Sequence, residues 1–110
     1  MIAVIENRKT ELAELCRKFG VERLYVFGSA VSGGFNSQAS DLDFLVRMTD
    51  RRPTGGYADR YLGLAEALER LFARRVDLIT EQSIRNPYFH REVEASRRLV
   101  YEHSREQAAV

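Results

Sequence analysis

Three aspartates occupy places where a folded chain normally keeps apolar residues. Asp41 and Asp43 lie in DLDFLVRM, residues 41–48, and Asp77 lies in VDLI, residues 76–79. A carboxylate among Leu, Phe and Val is costly to desolvate unless a cation meets it. Side chains alternate along a strand, so Asp41 and Asp43 share one face, with Cβ atoms about 7 Å apart. If the strand of Asp77 neighbours that of Asp43, three carboxylates converge on one patch. Uncompensated, they repel each other or stay protonated. Hard divalent cations remove that conflict, and Mg²⁺ in particular combines carboxylate oxygens with water and substrate phosphate. A pair of such ions can acidify an attacking hydroxyl and stabilise a leaving oxygen.

A Gly28-Ser29 turn precedes the first two acids. Glycine lets a backbone approach a phosphate closely, and the serine hydroxyl with the amides after it can donate hydrogen bonds. Other phosphate motifs fail, because the GSAVSGGF stretch has neither the lysine of a P-loop nor the spacing of G-x-G-x-x-G. His90 and His103 are isolated rather than at metal-ligand spacing and read as surface residues. Cys16, the single cysteine, excludes an internal disulfide and a cysteine metal site; it falls with Leu12, Leu15 and Phe19 on a core stripe.

The elements that must position these groups follow from periodicity. Apolar residues at 12, 15, 16 and 19 predict a helix over 7–19, stopped by Gly20. VERLYVFGS reads as a first strand, SGGFNSQAS as a loop, and DLDFLVRM as a second strand buried on both faces. Residues 50–56 form a loop, Tyr57 to Phe72 a helix, and RRVDLIT a third strand. Pro87 opens a last helix carrying Phe89, Val93 and Val100 on one side. The order predicts an α/β fold, a small mixed sheet flanked by helices, in one domain over residues 1–110.

Composition narrows the partners. Hydrophobic residues make up 45% of the chain and charged residues 30%, with a net charge of +1, so bulk charge points to neither a nucleic-acid nor a membrane partner. The N-terminal apolar run is too short for a signal peptide, and no stretch could span a bilayer, which gives a cytoplasmic expectation. Tyr25, Tyr57, Tyr61, Tyr88 and Tyr101 read as packing residues. Arg51, Arg52, Arg85, Arg97 and Arg98 read as solvated.

Gly28-Ser29, then eleven residues, then Asp41-Leu42-Asp43, and later Val76-Asp77-Leu78 on a following strand, resembles the DNA polymerase β-type nucleotidyltransferase superfamily. The match is nearest to its minimal nucleotidyltransferase (MNT) branch, which includes the antitoxin partners of HEPN toxins. The resemblance implies a polymerase β-like nucleotidyltransferase core. Gly28 and Ser29 would hold the triphosphate, and Asp41 and Asp43 would bridge two Mg²⁺ ions. Asp77 would ligate the ion nearest the attacking hydroxyl and help deprotonate it. The implied substrate is a nucleoside triphosphate, ATP first, and the implied partner a HEPN-family toxin modified on a tyrosine. One departure stands out: relatives commonly read Gly-Ser-x-Ala-Arg-Gly, whereas this chain reads Gly-Ser-Ala-Val-Ser-Gly-Gly. The missing arginine weakens the implied hold on the triphosphate, while all three acids remain.

Each feature also has a plainer reading. Gly28-Ser29 could be an ordinary turn, Asp41 a strand-start residue, Asp43 a partner of Arg47, and Asp77 a partner of Arg74 or Arg75. Three acids in apolar strands, in the right order, favour the chemical interpretation. About thirty residues follow the last acid, too few for a template-holding domain, so the acceptor hydroxyl is expected from a partner surface. The alternative is a non-catalytic antitoxin or nucleotide-binding module that neutralises its partner by contact.

Overall fold

A computed structural model describes residues 3–28, 31, 41–50 and 56–103. Along the chain these form α1 (Ala3–Glu6), α2 (Lys9–Phe19), β1 (Val21–Phe27), β2 (Leu42–Met48), α3 (Tyr57–Phe72), β3 (Val76–Thr80), a 3-10 turn (Glu81–Ser83), α4 (Pro87–Ser96) and β4 (Arg98–Glu102). The strands make a four-stranded mixed sheet in the order β3-β2-β1-β4. β1 pairs antiparallel with β2 and β4, while β2 and β3 run parallel. α3 lies in the connection between those parallel strands, as a crossover requires.

Gly20 ends α2 in a left-handed conformation at φ +74°, and its amide returns to the carbonyls of Arg17 and Cys16. Its carbonyl then accepts from both the amide and the hydroxyl of Thr49, tying the start of β1 to the end of β2. One sheet face carries the main core. Leu24, Val26, Leu42, Phe44, Val46 and Met48 meet Leu12, Cys16, Leu64, Leu68 and Phe72 from α2 and α3, and the Phe44 and Phe72 rings stack at 5.9 Å. Cys16 is fully buried, as its place on the helical stripe requires.

The opposite face is covered more sparingly. Phe27, Leu45 and Val93 form a small cluster there, flanked by Tyr25, Ile79 and Ile84. α4 supplies this cover. Pro87 stands in its first turn, and the Asn86 side chain caps it by accepting from the amides of Tyr88 and Phe89. Of the described helices, none is long and apolar enough to cross a membrane.

The last helix is shorter than the sequence suggests. Phe89, Val93 and Val100 are spaced as one helical face, yet α4 stops at Ser96 and Val100 belongs to β4. The free edge of β1 decides this. Arg98–Glu102 satisfies its backbone groups along that edge, with Leu24 opposite Tyr101 and Arg23 opposite Glu102. An Arg23–Glu102 ion pair at 3.1 Å joins the two strands.

Candidate functional site

The acids gather at one end of the sheet, on the face that α4 covers only in part. β2 and β3 run parallel in a register that sets Asp43 directly beside Asp77. Asp43 is half-buried, and its carboxyl is pushed up to about 6, first by desolvation and then by the charge of Asp77, a hydrogen bond to Asp77, and the charge of Asp41. Partial burial and the adjacent carboxylate of Asp77 thus make Asp43 easier to protonate than an ordinary aspartate. Asp41 precedes the first residue of β2 and acts on Asp43 through its charge.

The plainer partner for Asp43 is engaged elsewhere, since Arg47 pairs with Glu22 across the sheet at 3.4 Å. Asp43 therefore faces Asp77 rather than Arg47, and carboxylate oxygens are the donor type a hard cation takes. Among the described residues, no three acidic, His or Cys side chains close on a common point in the manner of a finished metal cage. The Asp43–Asp77 pair is assembled, and Asp41 acts on Asp43 through its charge.

The glycine turn arrives at the same place. Phe27, the last residue of β1, is opposite Asp43, so Gly28 emerges directly over the acid. Its φ is +74°, and a Cβ added there would lie 2.6 Å from Asp43 Oδ2. Only glycine accommodates both the left-handed backbone and that approach. The Gly28 carbonyl accepts from the amide of Val31 at 3.0 Å, closing the turn. Its own amide donates to Ser96 Oγ at 3.3 Å. Ser29 lies outside the described residues.

Of the sequence-derived candidates, Gly28, Asp43 and Asp77 thus meet, with Asp41 at the margin. Ser96 was not legible in advance, because the contact spans 68 residues and a lone Ser near a helix end carries no signal. Two residue classes also need correction. Arg97 is not simply solvated: its guanidinium lies 4.4 Å from the Tyr25 ring centre and pairs with Glu94 at 3.1 Å and Glu81 at 3.8 Å. Tyr88 does not pack into the core but is 72% exposed, beneath the Arg91 guanidinium at 5.0 Å.

Comparison with known proteins agrees with this geometry. The family model described as Nucleotidyltransferase domain matches residues 9–100. A Methanocaldococcus jannaschii protein named a putative protein adenylyltransferase is 36% identical over 84 residues, covering 76% of this chain and 79% of that protein. A solved structure of a putative minimal nucleotidyltransferase superposes with a TM-score of 0.66 at 31% identity, covering 86% of this chain and 90% of the other. At 18% identity, where only the fold is shared, the complex of a tri-AMPylated Shewanella oneidensis HEPN toxin with its MNT antitoxin gives a TM-score of 0.61, covering 94% of this chain and 77% of the matched one. With its acid-bearing parallel strands and its glycine turn set against them, this chain belongs to the nucleotidyltransferase domain family.

Proposed function

We propose that this protein transfers a nucleoside monophosphate, AMP from ATP, to a hydroxyl of a partner protein, and that the partner is a HEPN-family toxin silenced by modification of a tyrosine. The observation that carries the proposal is the Asp43–Asp77 pair set in register beneath the Gly28 turn. The M. jannaschii relative's name supports an adenylyl group and a protein acceptor. The toxin–antitoxin neighbours, one solved with AMP-PNP and one with an AMPylated HEPN toxin, support the nucleotide and the partner.

In this proposal Gly28 and Ser29 hold the triphosphate, the bare Cα of Gly28 letting a phosphate oxygen approach the backbone. Asp41, Asp43 and Asp77 would hold the Mg²⁺ ions. When bound, such ions lower the pKa of an attacking hydroxyl and stabilise a leaving pyrophosphate oxygen. Desolvation and the nearby carboxylates hold the Asp43 pKa near 6, and a bound cation would favour its ionised form. Asp77, on the outer strand of the pair, orients the acceptor hydroxyl and receives its proton.

The test incubates purified protein with α-labelled ATP, Mg²⁺ and the HEPN partner, or lysate of the native host, beside Asp43→Asn and Asp77→Asn controls. Label on a partner tyrosine, lost in both controls and with EDTA, is the expected result. The sequence Gly-Ser-Ala-Val-Ser-Gly-Gly, without arginine, motivates the alternative of neutralisation by contact. Neutralisation that survives the double change Asp41→Asn and Asp43→Asn would establish that alternative and end the enzymatic one.

A further inference from the structure

We propose that Ser96, the last residue of α4, is a positioning residue for the nucleotide site, its hydroxyl fixing the Gly28 turn against Asp43. The proposal rests on the nucleotide-binding role given to Gly28 above.

Three contacts define the arrangement. Ser96 Oγ donates its hydrogen to the Glu92 carbonyl one helical turn back, at 3.0 Å. Its lone pairs are thereby left to accept, and they take the Gly28 amide at 3.3 Å. Gly28 in turn lies so close to Asp43 that a Cβ would approach Oδ2 to 2.6 Å. The Gly28 backbone is thus held on two sides, by a hydroxyl from α4 and by the carboxyl of β2. Glycine on its own adopts many backbone conformations, and that freedom is lost whenever a ligand is bound. A hydroxyl that fixes the turn beforehand removes part of that loss.

The contact also joins the site to the sparser sheet face. Val93, one turn before Ser96, is buried against Phe27 and Leu45, and the Phe27 and Phe89 rings meet edge to face at 6.1 Å. Packing of α4 on that face therefore sets where the Ser96 hydroxyl stands, and through it where the Gly28 amide points.

The test uses the full chain, labelled with ¹³C-carbonyl Phe and ¹⁵N-Gly. Only Gly20 and Gly28 follow a phenylalanine, so two amide signals remain, and Gly20, bonded to Arg17 and Cys16 carbonyls, serves as the internal reference. In Ser96→Ala the Gly28 amide should move upfield while Gly20 stays fixed. Affinity for an α,β-methylene ATP analogue in Mg²⁺ should fall about fivefold, the effect of one neutral hydrogen bond. Ser96→Thr, which keeps the hydroxyl, should restore both. An unmoved Gly28 amide, or a moved amide with unchanged affinity, overturns the positioning role alone. Wild-type protein that takes up no nucleotide overturns the functional proposal, and this one with it.

Discussion

Replacing Asp43 by Asn should make the protein more stable at neutral pH while abolishing nucleotide transfer. The carboxyl titrates near 6 in the folded chain against an ordinary value of 3.8. Its folded pKa is raised, so its contribution to stability is full below about pH 3.8 and is lost as pH rises through about 6. At about 1.4 kcal/mol per pKa unit, the shift corresponds to an upper bound of about 3 kcal/mol. The carboxyl is only half-buried, and water screens much of the repulsion, which leaves about 1 kcal/mol. Asn has nearly the shape of the protonated acid and can donate to Asp77 without ionising. In divalent-free buffer at pH 8 the variant should therefore melt about 5 °C higher than wild type. At pH 4, where wild type carries the proton, the two should melt together. Urea titrations should show the same pattern, a gain of about 1 kcal/mol at pH 8 and none at pH 4. Equal stability at pH 8, or an equal gain at both pH values, would refute the claim that burial and the neighbouring carboxylates raise the Asp43 pKa.

Three further outcomes follow from the same geometry. Millimolar Mg²⁺ should raise the wild-type melting temperature at pH 8 and leave Asp43→Asn nearly unmoved, as read by calorimetry with and without EDTA. Gly28→Ala puts a methyl 2.6 Å from Asp43 Oδ2 at φ +74°, and should cost about 1–3 kcal/mol in a urea titration together with nucleotide binding. Gly63→Ala puts a Cβ 2.7 Å from Phe19 Cε1 where α2 packs on α3, a clash worth about 1–3 kcal/mol that the better helix propensity of Ala offsets by about 1 kcal/mol. A net loss of up to about 2 kcal/mol should therefore appear without touching the site. Nucleotide affinity measured well below the Gly63→Ala melting temperature should equal that of wild type.

Much of this molecule is written locally. The stripe of Leu12, Leu15, Cys16 and Phe19 and the stop at Gly20 depend on residues within a few positions of one another, and α2 closes where they say. The Pro87 start of α4 and the apolar run of β2 are legible for the same reason, as is the oddity of acids within that run. Local pattern fails at Val100. Its spacing from Phe89 and Val93 suits a helix, but the free edge of β1 offers backbone partners, and Arg98–Glu102 takes them as β4. Tertiary pairing outweighs periodicity there because an unpaired strand edge under a core leaves its N–H and C=O groups unsatisfied.

The sequence alone determined that Asp41, Asp43 and Asp77 were out of place within apolar runs, since residue type and strand alternation suffice for that judgement, whereas Gly28 by itself reads as an ordinary turn residue. The sequence could not determine their distances. Only the parallel pairing of β2 with β3 puts Asp43 beside Asp77, 34 positions later in the chain. Only the β1–β2 register brings Gly28 onto Asp43, and only the crossing of α4 brings Ser96 to Gly28. Those relations are long-range contacts whose geometry is fixed by the packing of whole elements, and no window of neighbouring residues contains it.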